Sequence, residues 1–446
     1  MAKERAMDVK PTGPSSRFAR GRRGAIDPAM CASLVAITAW AHGSHGQELF
    51  EQLPRLPEDT ACVANAISPA GDVVAGGLGT PLTRRGVAWI RSGDVWAIRS
   101  LADLGGPTTN VLALGASGDV LAGLSSNRAV VWRGVLSPSP VIEPVFGDTR
   151  TGAATALSAD GAFVVGYAQN PSAFIAFRAG PQGDPAFLGA LAGGNISQGL
   201  GMSADASIVV GTSGTSSTQR GFAWSGAAGL TQIPSDGYAI SACRAVSADG
   251  AVVGGLVSNS LSTLTLPALF VGPGFATLRV LELPEGSSRG VVLALSGDGR
   301  VAVGQANLGP AAADPSVAVY WIDGRVRLVR DELLARGANV ASVALEFANG
   351  VTPDGKLIVG SGFDGETGVQ FAFVARIDSA CNSIDFDGDG VFPDLQDIVA
   401  YLDVFAGGQC PTASCAPIDY NNDGVFPDLA DVVALLRVFS GGTCEG

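Results

Sequence analysis

Ala156-Leu157-Ser158-Ala159-Asp160-Gly161-Ala162-Phe163-Val164-Val165-Gly166 reads as two short apolar strands joined by a tight turn. Asp-Gly tolerates the positive φ of a hairpin turn, and the consecutive apolar residues of Val-Val-Gly suit a strand covered on both faces. The unit recurs along the chain. Its other copies are Ala66-Ile67-Ser68 with Val73-Val74-Ala75-Gly76, Leu114-Gly115-Ala116-Ser117 with Val120-Leu121-Ala122-Gly123, and Met202-Ser203-Ala204-Asp205 with Val209-Val210-Gly211. Three more follow: Val246-Ser247-Ala248-Asp249-Gly250 with Val252-Val253-Gly254, Leu295-Ser296-Gly297-Asp298-Gly299 with Val303-Gly304, and Val351-Thr352-Pro353-Asp354-Gly355 with Ile358-Val359-Gly360.

The hydroxyl positions 68, 117, 158, 203, 247, 296 and 352 are spaced by 49, 41, 45, 44, 49 and 56 residues. Each unit also carries an aromatic a variable distance downstream: Trp89, Trp132, Phe177, Trp224, Phe270, Trp321 and Phe373, of which the four tryptophans are expected at one strand position. The third unit divides into strands over 153–158, 162–168, 173–179 and 186–192. Seven four-stranded units of this length predict a mostly β chain whose body, residues 46–378, is a seven-bladed β-propeller. The seventh unit ends at Phe371-Ala372-Phe373-Val374-Ala375-Arg376-Ile377 without a fourth strand. Leu49-Phe50-Glu51-Gln52-Leu53-Pro54-Arg55-Leu56 resembles the unit-ending segments and is expected to complete that last blade, where a linear solenoid would need no such strand. The pattern resembles the HAF-type extracellular repeats of bacteria over about residues 60–377, with Gly86-Val87-Ala88-Trp89 and Gly221-Phe222-Ala223-Trp224 nearest the family's aromatic element. The family's His is absent from both. The resemblance implies a surface or secreted setting and no defined activity.

Residues 1–45 read as a targeting segment: Arg17, Arg20, Arg22 and Arg23, an apolar run from Ala29 to Ala41, and Ala39-Trp40-Ala41 as a cleavage site. Cleavage there takes 7 of 28 basic and 3 of 41 acidic residues, leaving a net charge of −17 with Lys356 as the single lysine. That balance disfavours a phosphate-tracking nucleic-acid surface and suits calcium. The mean hydropathy of +0.30 comes from short apolar runs, so no transmembrane segment is expected in the mature chain.

Two C-terminal segments align at an offset of 34 residues, Cys381 to Asp397 and Cys415 to Asp431, each followed by an apolar helix and Gly-Gly-x-Cys. Asp385, Asp387 and Asp389, and Asp419, Asn421 and Asp423, supply oxygen at loop positions 1, 3 and 5, with Gly390 and Gly424 at the sharp turn and the carbonyls of Val391 and Val425 at position 7. Position 12 holds Gln396 and Ala430, and the acid comes one residue later, as Asp397 and Asp431. Pro393-Asp394 and Pro427-Asp428 absorb the insertion, bringing Asp394 and Asp428 into the position-9 role. Two calcium sites are therefore expected. Leu395, Ile398, Val399, Leu402 and Phe405 share one helix face, as do Leu429, Val432, Val433, Leu436 and Phe439. Cys381–Cys410 and Cys415–Cys444 are the economical disulfides of the three possible connectivities, while Cys62 and Cys243, each just ahead of a first strand, are expected as buried free thiols.

Loop plus helix, twice, resembles the dockerin family over residues 381–446. The resemblance implies a duplicated EF-hand-like domain, residues 379–446, that docks on a cohesin-like or other envelope protein. With His42 and His45 both beside the cleavage region, the body has no imidazole for triad chemistry. Asp160, Asp205, Asp249, Asp298 and Asp354 recur where a turn calls for Asp, and Trp89, Trp132, Trp224 and Trp321 where blades pack. A secreted or cell-surface, non-catalytic binding or scaffold protein is the first expectation, with a glycan or protein ligand on the loops between second and third strands. A dockerin-borne glycan-active enzyme is the alternative.

Overall fold

The computed structural model describes residues 49–377, except 81, 182–184, 216–217, 261–262, 310, 312–313 and 323, together with residues 386, 395–409, 418, 420 and 428–440. Seven four-stranded antiparallel sheets fill residues 50–376. The first strands touch one another in cyclic order, and that of the seventh sheet, Val343–Val351, meets that of the first, Ala61–Ile67. The sheets therefore form a closed seven-bladed propeller with their first strands innermost. The third blade shows the expected division, as Gly152–Leu157, Val164–Gln169, Phe174–Ala179 and Ala186–Gly189.

Phe50–Gln52 is the outer strand of the seventh blade. It pairs antiparallel with Gln370–Arg376 in the register Phe50↔Ala375, Glu51↔Val374, Gln52↔Phe373. The Phe50 ring packs on Phe371 and Phe373 at 6.3 and 5.8 Å. The ring is thus closed by the N-terminal segment, as its likeness to the blade-ending segments predicts.

One turn chemistry builds six of the seven first hairpins. Ser68, Ser158, Ser203, Ser247, Ser296 and Thr352 are buried, and each hydroxyl accepts the backbone N–H five residues on, at 2.9–3.0 Å. The same hydroxyl donates to a carboxylate: Asp160, Asp205, Asp249, Asp298 or Asp354 two residues on, at 2.5–2.7 Å, and Asp72 in the first blade. Each of those five aspartates also accepts the N–H two residues further along.

The second blade corrects the sequence alignment. Gly115, not Ser117, stands at the hydroxyl position, since its N–H bonds Val120 O as Ser68 N–H bonds Val73 O. Ser117 occupies the aspartate's place and accepts the Asp119 N–H at 3.2 Å. Ser117 is the one hydroxyl in this turn, and a serine can stand in for either the buried hydroxyl or the aspartate that closes the turn.

With that alignment, the residue eight after the turn position is glycine in every blade: Gly76, Gly123, Gly166, Gly211, Gly255, Gly304 and Gly360. A Cβ at any of them would fall inside the carbonyl oxygen of the bulged first strand, from Val63 O in the first blade to Phe347 O in the seventh. In the fifth blade the glycine so placed is Gly255 rather than Gly254.

The four tryptophans share one strand position, as expected, and the seven aromatics together occupy two registers. Trp89, Trp132, Trp224, Phe270 and Trp321 pair two residues before that glycine, while Phe177 and Phe373 pair directly opposite it. Either place fills the gap between blades, so packing tolerates the slip. Cys62 and Cys243 lie inside first strands rather than ahead of them, buried and free.

Candidate functional site

All seven first strands carry a bulge at the same place, at Asn65, Leu112, Thr155, Leu200, Arg244, Leu293 and Asn349. A bulged residue leaves the ladder, and here it stands on the free inner edge of the ring, half-buried or exposed in every blade. None of the seven is a carboxylate. Arg244 is the one charge among them, and loss of solvation inside the ring lowers its pKa. Asp160, Asp205 and Asp249 are exposed turn acids held below the ordinary carboxylate range by the hydroxyl that donates to each, Asp205 at about 2.

Trp89, Trp132 and Trp321 are buried and donate their indole N–H to Pro54, Ala102 and Glu282 carbonyls at 2.7–2.8 Å, which stitches adjacent blades. Trp224 differs. It is half-buried, has the Arg178 guanidinium 5.5 Å from its ring, and lines a shallow groove between the fourth and fifth blades. At the opposite end of the strands, clefts open between the first and second, fifth and sixth, and sixth and seventh blades, at loops joining second to third strands.

Of the expected metal ligands, Asp397, Asp428 and Asp431 are described. Asp385, Asp387, Asp389, Val391, Asp394, Asp419, Asn421, Asp423 and Val425 lie outside the described residues, as do Cys381, Cys410, Cys415 and Cys444. Helices α2 (Leu395–Phe405) and α3 (Leu429–Phe439) begin where the spacing predicts, and α1 (Val329–Ala335) joins the sixth and seventh blades. Gly407, at φ 90, sits just past the end of α2, as a C-cap glycine does.

Asp397 and Asp431, in the first turns of α2 and α3, are fully buried. Asp397 accepts the Phe386 N–H at 2.8 Å, tying the loop to the helix it precedes. Asp431 accepts the Asp428 N–H at 2.9 Å, and Asp428 accepts the Ala430 N–H at 2.7 Å, forming a capping box. Oxygen donors buried at both helix starts fit a hard cation. Behind them Phe386, Ala400 and Tyr401 pack with Ile418, Tyr420, Ala434 and Leu435. The Tyr401 hydroxyl donates to Ile418 O at 3.0 Å. Burial beside Asp397 pushes the Tyr420 hydroxyl up to about 12.

The apolar faces of α2 and α3 are largely turned to solvent, with Phe405 and Val432 alone of their residues packed on the module's core. Leu395, Val399 and Leu402 are 69%, 60% and 43% exposed, and Leu429, Val433 and Leu436 are 72%, 47% and 45% exposed. The buried arc instead runs through Asp397, Ala400 and Tyr401, and through Asp431, Ala434 and Leu435. Apolar periodicity marks a face that avoids water and does not say whether its own chain covers it.

No family model and no curated protein matches the chain. Among solved structures it is similar to an oligogalacturonate lyase in complex with manganese, at TM-score 0.50 and 13% identity, over 72% of this chain and 91% of that one. It is also similar to the oligogalacturonate lyase of Vibrio parahaemolyticus, at TM-score 0.51 and 9% identity, over 74% and 94%. At such identities the likeness is one of fold alone.

Proposed function

We propose that the chain is a secreted or cell-surface binding or scaffold protein whose C-terminal module, resembling a dockerin, binds two calcium ions and anchors the propeller to an envelope protein. The observation that carries this reading is the pair of exposed apolar stripes on α2 and α3, Leu395-Val399-Leu402 and Leu429-Val433-Leu436, equivalent residues 34 apart. A duplicated apolar face held beside two buried acids is suited to a partner protein that docks only when the loops are shaped by metal. Asp385, Asp387, Asp389, Asp394 and Asp397, with Asp419, Asn421, Asp423, Asp428 and Asp431, would hold the ions, and the carbonyls of Val391 and Val425 would complete them. Calcium would serve as a structural tie. What supports binding over a glycan-active enzyme is the inner edge of the ring, where seven equivalent positions carry no carboxylate pair.

The test uses the full chain. Calorimetry with calcium should give two sites, reduced to one by Asp397→Asn. Full-length protein should retain a specific envelope protein in calcium and release it to a chelator, and Val399→Asp with Val433→Asp should abolish retention while leaving calcium binding intact. Retention unaffected by both chelator and double variant would sink the proposal.

A further inference from the structure

The sixth and seventh blades are separated by the longest spacing in the ring, 56 residues, and the additional chain includes α1. Arg330 of α1 donates to Val340 O and Ala341 O at 3.2 and 2.7 Å, drawing the following loop across the mouth of the interblade gap. A cleft of about 550 Å³ results, large enough for an extended side chain with its flanking backbone. Leu308, Val317, Leu328 and Leu345 are among its walls. Four charged side chains also line it, Arg330, Asp331, Glu346 and Glu366, so the lining is acidic on balance, and Glu346 is set apart by its strand. Val343–Val351 has a second bulge, at Glu346, that no other first strand carries, and it places Glu346 on the cleft wall.

Glu346 is half-buried and makes no ion pair or side-chain hydrogen bond with the described residues. Arg330, on the same wall, is committed to the two carbonyls. Burial raises the Glu346 pKa, so its charged form is held without compensation. A carboxylate beside the apolar walls of a cleft whose lining is acidic on balance selects a cation on an aliphatic stem, because the stem covers the walls while the ammonium meets the charge. Lys356, the single lysine beyond residue 41, lies in the hairpin turn at the other end of these strands, so the cation comes from another molecule.

We propose that the cleft between the sixth and seventh blades binds a lysine side chain of a partner peptide, with Glu346 receiving the ammonium. The proposal rests on the propeller being a binding module. It is independent of the C-terminal module, so its failure leaves calcium-dependent anchoring standing.

The experiment titrates acetyl-Ala-Ala-Lys-Ala-Ala-amide and its norleucine counterpart into the full calcium-loaded chain, followed by calorimetry. The lysine peptide should bind at least about tenfold more tightly, a difference of about 1.4 kcal/mol. Glu346→Gln should bring it down to the norleucine level. Glu366→Gln, at the exposed rim, should change affinity by less than about twofold, as screened surface charges do. Equal affinity for the two peptides, or lysine binding unchanged in a folded Glu346→Gln protein, would overturn the proposal.

Discussion

Ser203 and Asp205 show at one turn what holds each hairpin. The Ser203 hydroxyl is fully buried, accepts Ile208 N–H at 3.0 Å and donates to Asp205 at 2.7 Å, while Asp205 accepts Ser207 N–H at 2.9 Å. The carboxylate is worth most to the fold when ionised. Its pKa of about 2 lies below the ordinary value of about 3.9, so its contribution is complete above about pH 4 and is lost as pH falls toward 2. A carboxyl NMR titration should place the Asp205 midpoint near 2, and Asp205→Asn should flatten the acid limb of stability. A midpoint near 4 would contradict the clasp. In the same turn Ala206 takes φ +60 where the six other blades have glycine, a strain of about 1–2 kcal/mol, offset in part by its buried methyl at about 0.8 kcal/mol.

The repeated glycine is the second residue-scale constraint. Gly304 has Val291 O where its Cβ would go, whereas Gly226 has open space around it. Gly304→Ala should lower stability by more than about 3 kcal/mol, and Gly226→Ala by less than about 0.5 kcal/mol. Denaturation midpoints of the two variants make the comparison, and similar values would remove the steric account.

Between elements, five of the seven blade interfaces share a backbone bond: Ala116 N–H to Ala159 O, Ala159 to Ala204, Ala204 to Ala248, Ala248 to Gly297 and Gly297 to Pro353. Pro69 and Pro353 stand at the donor position in the first and seventh blades and have no N–H to give. Side chains bridge those two interfaces instead. Asn65 donates to Val111 O at 2.6 Å and Asn349 to Ala64 O at 2.9 Å, where the equivalent positions elsewhere are mostly leucine. Thr155 makes a comparable bond to Gly199 O at 2.7 Å, but at an interface that already has the backbone bond. Asn349→Leu should cost about 1–2 kcal/mol, and Thr155→Val about 0.5–1 kcal/mol. Thermal unfolding of the two variants checks the order, and a reversed order would contradict the compensation.

At the scale of the molecule, the N-terminal segment belongs to two blades at once. Phe50–Gln52 pairs with the seventh blade, and Leu53 N–H bonds Ala372 O at 2.8 Å. Toward the first blade, Glu51 meets Arg91 at 2.8 Å, with both side chains only 12–13% exposed, and accepts the Trp96 indole N–H at 2.8 Å. Trp89 donates to Pro54 O. Removing one partner of such an ion pair leaves a buried charge. A chain beginning at residue 60 should therefore open at the seventh blade, with a lower unfolding midpoint and protease cleavage within 365–369, compared with one beginning at residue 46. Equal protease resistance would show that the strand is dispensable.

Periodicity alone determined the blade count, the Asp-Gly hairpins, the closing strand and the starts of α2 and α3, because each depends on local spacing that the polymer cannot hide. Tertiary structure decided which residue of each unit does what. Gly115 stands where the other blades have a buried hydroxyl and Ser117 where they have an aspartate, because the backbone bonds of the turn rather than its side chains set the alignment, and Phe177 and Trp89 fill one interblade gap from different registers because packing reads volume rather than position. The repeated glycine was visible as part of Val-Val-Gly, but its cause, a carbonyl brought in by a bulge on another strand, is not a local property. Neither are Glu346 and the inner edge of the ring, which exist only once seven sheets close. The stripes Leu395-Val399-Leu402 and Leu429-Val433-Leu436 were legible as apolar faces, and only the packing of Tyr401 and Leu435 on the other side turned them outward. Burial is a relation between distant segments, so a sequence can state which residues avoid water while the fold decides what, if anything, covers them.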